Sequence, residues 1–123
     1  MISNQPALPL WKECANAALQ AELRGSFDKA EQQYRLSLKF AEHSPITSDE
    51  NIGEALINLA DFLTSKGRYE EAEECYRRAI EIYDRLFASD NLISEMIYRV
   101  LAEIYNLQEQ SVNAHLLNKR AAS

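Results

Sequence analysis

Catalysis and metal binding need clusters of nucleophilic, acidic, basic or ligating side chains, and this sequence offers few. Its only histidines are His43 and His115, each near a helix C-terminus. Neither has a partner at a metal spacing such as i,i+4, so both read as solvated or capping residues. Cys14 and Cys75 occupy semi-apolar helical positions far apart, which suits inert buried thiols better than a nucleophile or a disulfide. Carboxylates are plentiful at Glu70-Glu71 and Glu73-Glu74, but Arg77, Arg78 and Arg85 alternate with them. That is the pattern of a solvated helix face laced with i,i+4 pairs. No glycine loop could cradle a phosphate. Trp11 could stack on a ligand, but as the first residue of the first apolar segment it reads as a staple for the N-terminal end. The expectation is no catalytic, cofactor or metal residues, hence no enzyme and no cofactor, and the sequence turns attention to binding.

The totals agree with that direction. A chain of 123 residues suits one domain, with a core large enough to need no disulfide or metal. The net charge of −6 repels phosphate backbones, which argues against nucleic acid as a partner. No apolar run approaches the roughly 20 residues that span a bilayer, so no membrane is expected. The segment MISNQPALPLW lacks the basic start and apolar core of a secretory signal, which makes the cytoplasm the default location. With only three Gly and three Pro, two of the Pro in the first nine residues, the chain has few breakers and points to helices.

The helices repeat. Gly25 and Gly67 are 42 residues apart, and Glu109 follows at the same step. Ala18, Ala60 and Ala102 keep this period, as do Ala30, Ala72 and Ala114. Phe27 pairs with Tyr69, and Tyr34 with Tyr76. Several series at one offset mark an internal repeat. In the middle copy, Leu56, Leu59, Ala60 and Leu63 form one helical stripe, and Lys66-Gly67-Arg68 ends that helix. Tyr69, Ala72, Tyr76, Ala79 and Ile80 stripe a second helix. Neither face can be buried alone, so the copies must stack. The spacing predicts helices over 10–24, 27–43, 50–65, 69–87, 92–107 and 110–121. Thr47 with Glu50 reads as a capping box, and Ser89 or Asp90 as a later N-cap.

The run Leu59-Ala60-x-x-Leu63 … Gly67-x-Tyr69-x-x-Ala72-x-x-x-Tyr76-x-x-Ala79 resembles the tetratricopeptide (TPR) repeat, in its 42-residue kinesin-light-chain-like variety. Copy one resembles it through Gly25, Phe27, Ala30 and Tyr34. In copy three, Glu109, Ser111 and Asn118 depart from the pattern. The resemblance implies an all-α fold: a right-handed α-solenoid of three helix-turn-helix units and six helices. A flexible N-terminal segment (1–10) would precede one TPR domain (11–123), with repeats near 11–52, 53–94 and 95–122.

The resemblance also implies a concave groove lined by the first helix of each copy. It would carry Lys12, Asn16, Leu19 and Leu23; then Glu54, Asn58, Asp61 and Ser65; then Met96, Arg99, Val100, Glu103 and Leu107. Asn16 and Asn58 match the family position whose amide holds a bound peptide backbone. An amide donates and accepts at once, so it grips a peptide group without reading sequence. The bland alternative is amides bonded to neighbouring helices or water, with Leu19 and Leu23 under the ALPLW segment. A family clamp for acidic chaperone tails is not matched, because its positions fall on Ala15, Leu19, Met96 and Val100 beside Asn58. The groove charges, Lys12 and Arg99 against Glu22, Glu54, Asp61 and Glu103, sum to two minus four, or −2. They favour a neutral or basic peptide with apolar anchors.

The sequence therefore reads as a non-catalytic protein-interaction scaffold or adaptor. A small TPR chaperone for a client protein is an alternative, as are an RNA-binding helical-repeat protein and a regulatory fragment of a larger enzyme. The RNA alternative needs a basic concave face, which Glu54, Asp61 and Glu103 oppose. The last helix must cap the stack by itself, and a homodimer through it is a further expectation.

Overall fold

Four helices form where the apolar stripes place them: α1 Leu10–Leu23, α2 Phe27–His43, α3 Asp49–Ser65 and α4 Tyr69–Phe87. They belong to a computed structural model that describes residues 8–121, with no strand among the described residues. The predicted flexible segment over 1–10 falls mostly on residues 1–7, which lie outside the described residues. Pro9 already serves as the N-cap position of α1.

α1 and α3 end in the same way, and glycine is the reason. Gly25 and Gly67 adopt φ of 79° and 73°, a left-handed conformation that disfavours side chains with a Cβ. At each, two backbone hydrogen bonds close the helix end. Ser26 N–H donates to Ala21 O (2.8 Å) and Gly25 N–H to Glu22 O (3.0 Å), while Arg68 N–H donates to Leu63 O (2.9 Å) and Gly67 N–H to Thr64 O (3.0 Å). This satisfies carbonyls that the last turn would otherwise orphan. The chain then reverses, and α2 packs on α1 as α4 packs on α3.

The core lies between these hairpins. Ala18, Ala30, Ala60, Ala72 and Ala79 are fully buried, and their small size lets the helices approach closely. Leu56, Leu59, Leu63 and Tyr76 fill the space around them. Tyr34 of repeat one meets Phe62 of repeat two with ring centroids 5.4 Å apart. Trp11 is buried beside Ala41 and Ala55, as a staple should be. Ser37 Oγ fixes that end by donating to Trp11 O (2.6 Å). Outside the core, Arg68 ties α2 to α4 through Glu31 (2.5 Å) and Glu71 (2.7 Å).

The third copy departs from expectation. Instead of two helices over 92–107 and 110–121, one helix, α5, runs from Leu92 to Ala121. The six-helix count is thus corrected to five among the described residues, and repeat three lacks its antiparallel second helix. The physical reason is at Glu109, which stands one period after Gly67. A glutamate favours the helix interior and disfavours the left-handed turn that a reversal needs. With no breaker, the helix continues. The capping expectations also move by one or two residues. Ser48, rather than Thr47, caps α3 by accepting from Asn51 N–H (3.3 Å). Asn91, rather than Ser89 or Asp90, caps α5 by accepting from Ser94 N–H (2.8 Å).

Candidate partner-binding groove

Because Leu56, Leu59, Ala60 and Leu63 turn inward, the opposite side of α3 carries Glu54, Asn58, Asp61 and Ser65. Glu54, Asp61 and Ser65 are exposed, and Asn58 is half-buried. On α1, burial of Trp11, Cys14, Ala18 and Ala21 leaves Lys12, Asn16, Leu19 and Leu23 outward. The two helices lie close enough to share a cleft of about 160 Å3. It gathers Lys12, Asn16 and Leu19 from α1 with Glu54 and Asn58 from α3. The two asparagines, one period apart in sequence, thus line one cavity.

Leu23 and Ser65 lie beyond this cleft, at the C-terminal ends of α1 and α3. Ser65 Oγ donates to Phe62 O (2.6 Å), which ties its hydroxyl to the backbone. On α5, Met96 and Glu103 are exposed, whereas Val100 is half-buried and packs against the core. Arg99 pairs with Glu95 at 2.8 Å on its own helix. These residues are not part of the α1–α3 cleft. Leu19 and Leu23 are 51% and 78% exposed, so the described part of the N-terminal segment does not cover them. Pro9 and Leu10 instead line a separate apolar pocket of about 310 Å3 with Phe40, His43 and Ile46.

Ala15, at a family clamp position, also lines the cleft, as do Trp11 and Tyr34, which the groove stripes do not include. The signal for Tyr34 was present: it stands one period before Tyr76. Both tyrosines reach from the second helix of their repeat to an acidic residue of the first. Tyr34 donates to Glu22 Oε1 at 2.9 Å, and Tyr76 donates to Asp61 Oδ1. Burial, then the carboxylate each one faces, pushes both hydroxyls above the ordinary tyrosine range. Desolvation also pushes the Asp61 carboxyl up, while the Tyr76 hydroxyl pulls it down and Glu22 adds to the rise. The tyrosine hydroxyls stay protonated, and each ties one carboxylate, Glu22 or Asp61, to the second helix of its repeat. Trp11 Nε1 is buried with no hydrogen-bond partner among the described residues.

The chemistry elsewhere is plain. Cys14 and Cys75 are free, and desolvation raises both thiols above their ordinary range. His43 Nδ1 lies 2.8 Å from Lys39 O on the preceding turn, a hydrogen bond near the helix end. Among the described residues no cluster of three His, Cys, Asp or Glu could hold a metal ion, and no helix is long and apolar enough to cross a membrane.

A family model for the tetratricopeptide repeat matches residues 51–123, more than half of the chain. The chain belongs to the tetratricopeptide repeat family. The match spans α3, α4 and α5, and it includes the tail beyond Glu109. No curated protein and no solved structure matches the chain. Tetratricopeptide repeats are generally protein-interaction modules, typically without catalytic activity. The α1–α2 hairpin precedes the matched span, but it reproduces the glycine turn and buried alanines of the tetratricopeptide hairpin that follows it.

Proposed function

We propose that this tetratricopeptide protein is a non-catalytic scaffold that holds an extended partner segment across α1, α3 and the start of α5. The observation that carries the reading is the shared cleft of Asn16 and Asn58, with Lys12, Leu19 and Glu54 around them. Two amides at one repeat spacing suit two peptide groups of an extended chain, and the exposed Leu19 offers an apolar contact between them. Met96, Arg99, Val100 and Glu103 would extend the same face. Glu22, Glu54, Asp61 and Glu103 outnumber Lys12 and Arg99, which favours a neutral or basic segment with apolar anchors. The 42-residue period supports the longer-helix variety of the family, with the right-handed stacking that it implies. Work in the cytoplasm fits an acidic chain with free thiols. Self-association through the C-terminal helix is a separate proposal, because it uses the Tyr98–Ala102–Tyr105 face of α5 and not the α1–α3 cleft.

Pull-down from native extract, read by mass spectrometry, tests the groove. The Asn16→Ala, Asn58→Ala double variant should fold normally and lose the specific partner. A folded double variant that recovers every partner would remove the groove. Fluorescence polarisation tests the charge argument separately: an acidic chaperone-tail peptide should show negligible affinity. Low-micromolar Kd in physiological salt would overturn that part.

A further inference from the structure

The outer face of α5 is only partly covered, and the repeat says what kind of object belongs there. One period earlier, Leu56, Ala60 and Leu63 are fully buried, with α4 packed on α3. Their counterparts on α5 are Tyr98, Ala102 and Tyr105. Tyr98 and Tyr105 are 53% and 42% exposed, and Ala102 is exposed with them. A helix is therefore missing from this face. The tail of the same chain does not supply it, since α5 runs straight on.

We propose that a second copy of this chain supplies it, through antiparallel pairing of the two α5 helices. The stripe does not end at Tyr105. It continues through Glu109, Val112, Leu116 and Lys119, and it begins at Glu95. The steps alternate between three and four residues, the spacing of a seam between paired helices. Over this length the stripe runs roughly 36 Å along the helix.

Read antiparallel, the stripe complements itself. Tyr98 faces Leu116 of the second copy, Ala102 faces Val112, and Tyr105 faces Glu109. Small Ala102 thus meets a branched side chain, and each exposed tyrosine borders the seam. At each end, Glu95, which Arg99 of its own helix also contacts at 2.8 Å, faces Lys119 of the second copy. That end opens on a cleft of about 320 Å3 formed by Tyr98, Glu95 and the loop Ser89–Asn91, so Asp90 adds a second acidic group near the incoming lysine. Glu109 is the one charge inside the seam. Its opposite neighbour, Tyr105, accepts a hydrogen bond from Arg77 of α4 (2.5 Å) and donates one to Glu73 (2.6 Å), with which Arg77 is paired, so the incoming Glu109 meets a guanidinium and a carboxylate together, and the centre of the seam gains little from charge. The family match extends over the tail, so residues 110–121 fall where the repeat has its second helix. The proposal does not use the α1–α3 cleft, and it meets the groove's extension on α5 only where Glu95 pairs with Arg99.

Cysteine pairing and charge reversal test it on the full chain. In a Cys14→Ala, Cys75→Ala background, Ala102→Cys with Val112→Cys places two thiols roughly 15 Å apart on one straight helix. That exceeds the ~7 Å limit for bridging within the chain. Mild oxidation should give a covalent dimer on a non-reducing gel. A disulfide closed within one chain would show that the tail folds back on its own α5, and would overturn the proposal. Sedimentation of the unmodified chain should show a dimer at micromolar concentration, and a monomer throughout would also overturn it. Lys119→Glu and Glu95→Lys should each weaken association roughly tenfold, about 1.4 kcal/mol. Mixing the two variants should restore it, because each altered residue then meets its opposite charge. Circular dichroism confirms that both variants fold, and a mixture no tighter than its components would contradict the seam.

Discussion

Ala60 and Ala102 hold the same place in successive copies, yet Ala60 is fully buried and Ala102 lies open to solvent. Both are small enough for a second helix to approach. The difference lies seven residues later. Gly67 takes φ of 73° and turns the chain back, whereas Glu109 keeps it helical. Small residues along a helix permit close packing but do not cause it. Closure of a repeat also requires a residue that ends the first helix, and that residue contributes little to the buried core.

The largest expected effect sets the two regions apart by truncation. Leu59→Ala should lower stability by roughly 2–5 kcal/mol, because it opens a cavity where repeats one and two meet. Leu117→Ala, at a tail position that is 65% exposed, should stay within about 0.5 kcal/mol in the monomer. Denaturant melts compare them directly, and equal losses would erase the contrast between closed and open repeats.

Gly53 sharpens the picture of the closed repeat. On helix propensity alone, Gly→Ala in a helix should gain about 1 kcal/mol. A Cβ at this position would stand 2.8 Å from the ring of Tyr83, which is buried and stacked on Phe87. Gly53→Ala should therefore destabilise by roughly 1–3 kcal/mol. A raised melting temperature would show that Tyr83 has room to move.

The turn residues come next. Gly67→Ala strains a left-handed position and should cost about 1 kcal/mol, while Glu109→Ala, inside a helix, should change stability by no more than about 0.5 kcal/mol. Thermal melts of both variants check the difference. The smallest effect concerns the thiols: reductant should leave the melting temperature unchanged, and an intramolecular bond found by mass measurement would refute this.

Much of the fold is legible in the sequence, for reasons these variants expose. The stripes at Leu56–Leu63 and Tyr69–Ile80 fix both helices of repeat two, and Gly25 and Gly67 fix the turns. The third repeat differs because the period continues past Glu109, where no breaker ends the helix. Caps slipped from Thr47 to Ser48 and from Asp90 to Asn91 because neighbouring polar residues compete for one role that local backbone angles decide. In the groove, the asparagine pair is visible through the period alone. The period also shows Tyr34 and Tyr76, but not their hydroxyl bonds to Glu22 and Asp61, which depend on how two helices lie together. Exposure of Leu19 is likewise a property of packing.

Native-state hydrogen exchange, read residue by residue on the chain kept dilute enough to be monomeric, tests the contrast between closed and open repeats most directly. The account predicts that amides of α3 and α4 exchange slowest, near the rate of global unfolding, and that residues 110–121 exchange fastest of all the helical segments. Protection of 110–121 equal to that of α3 in a strict monomer would contradict it, because the tail would then be packed as a closed third repeat.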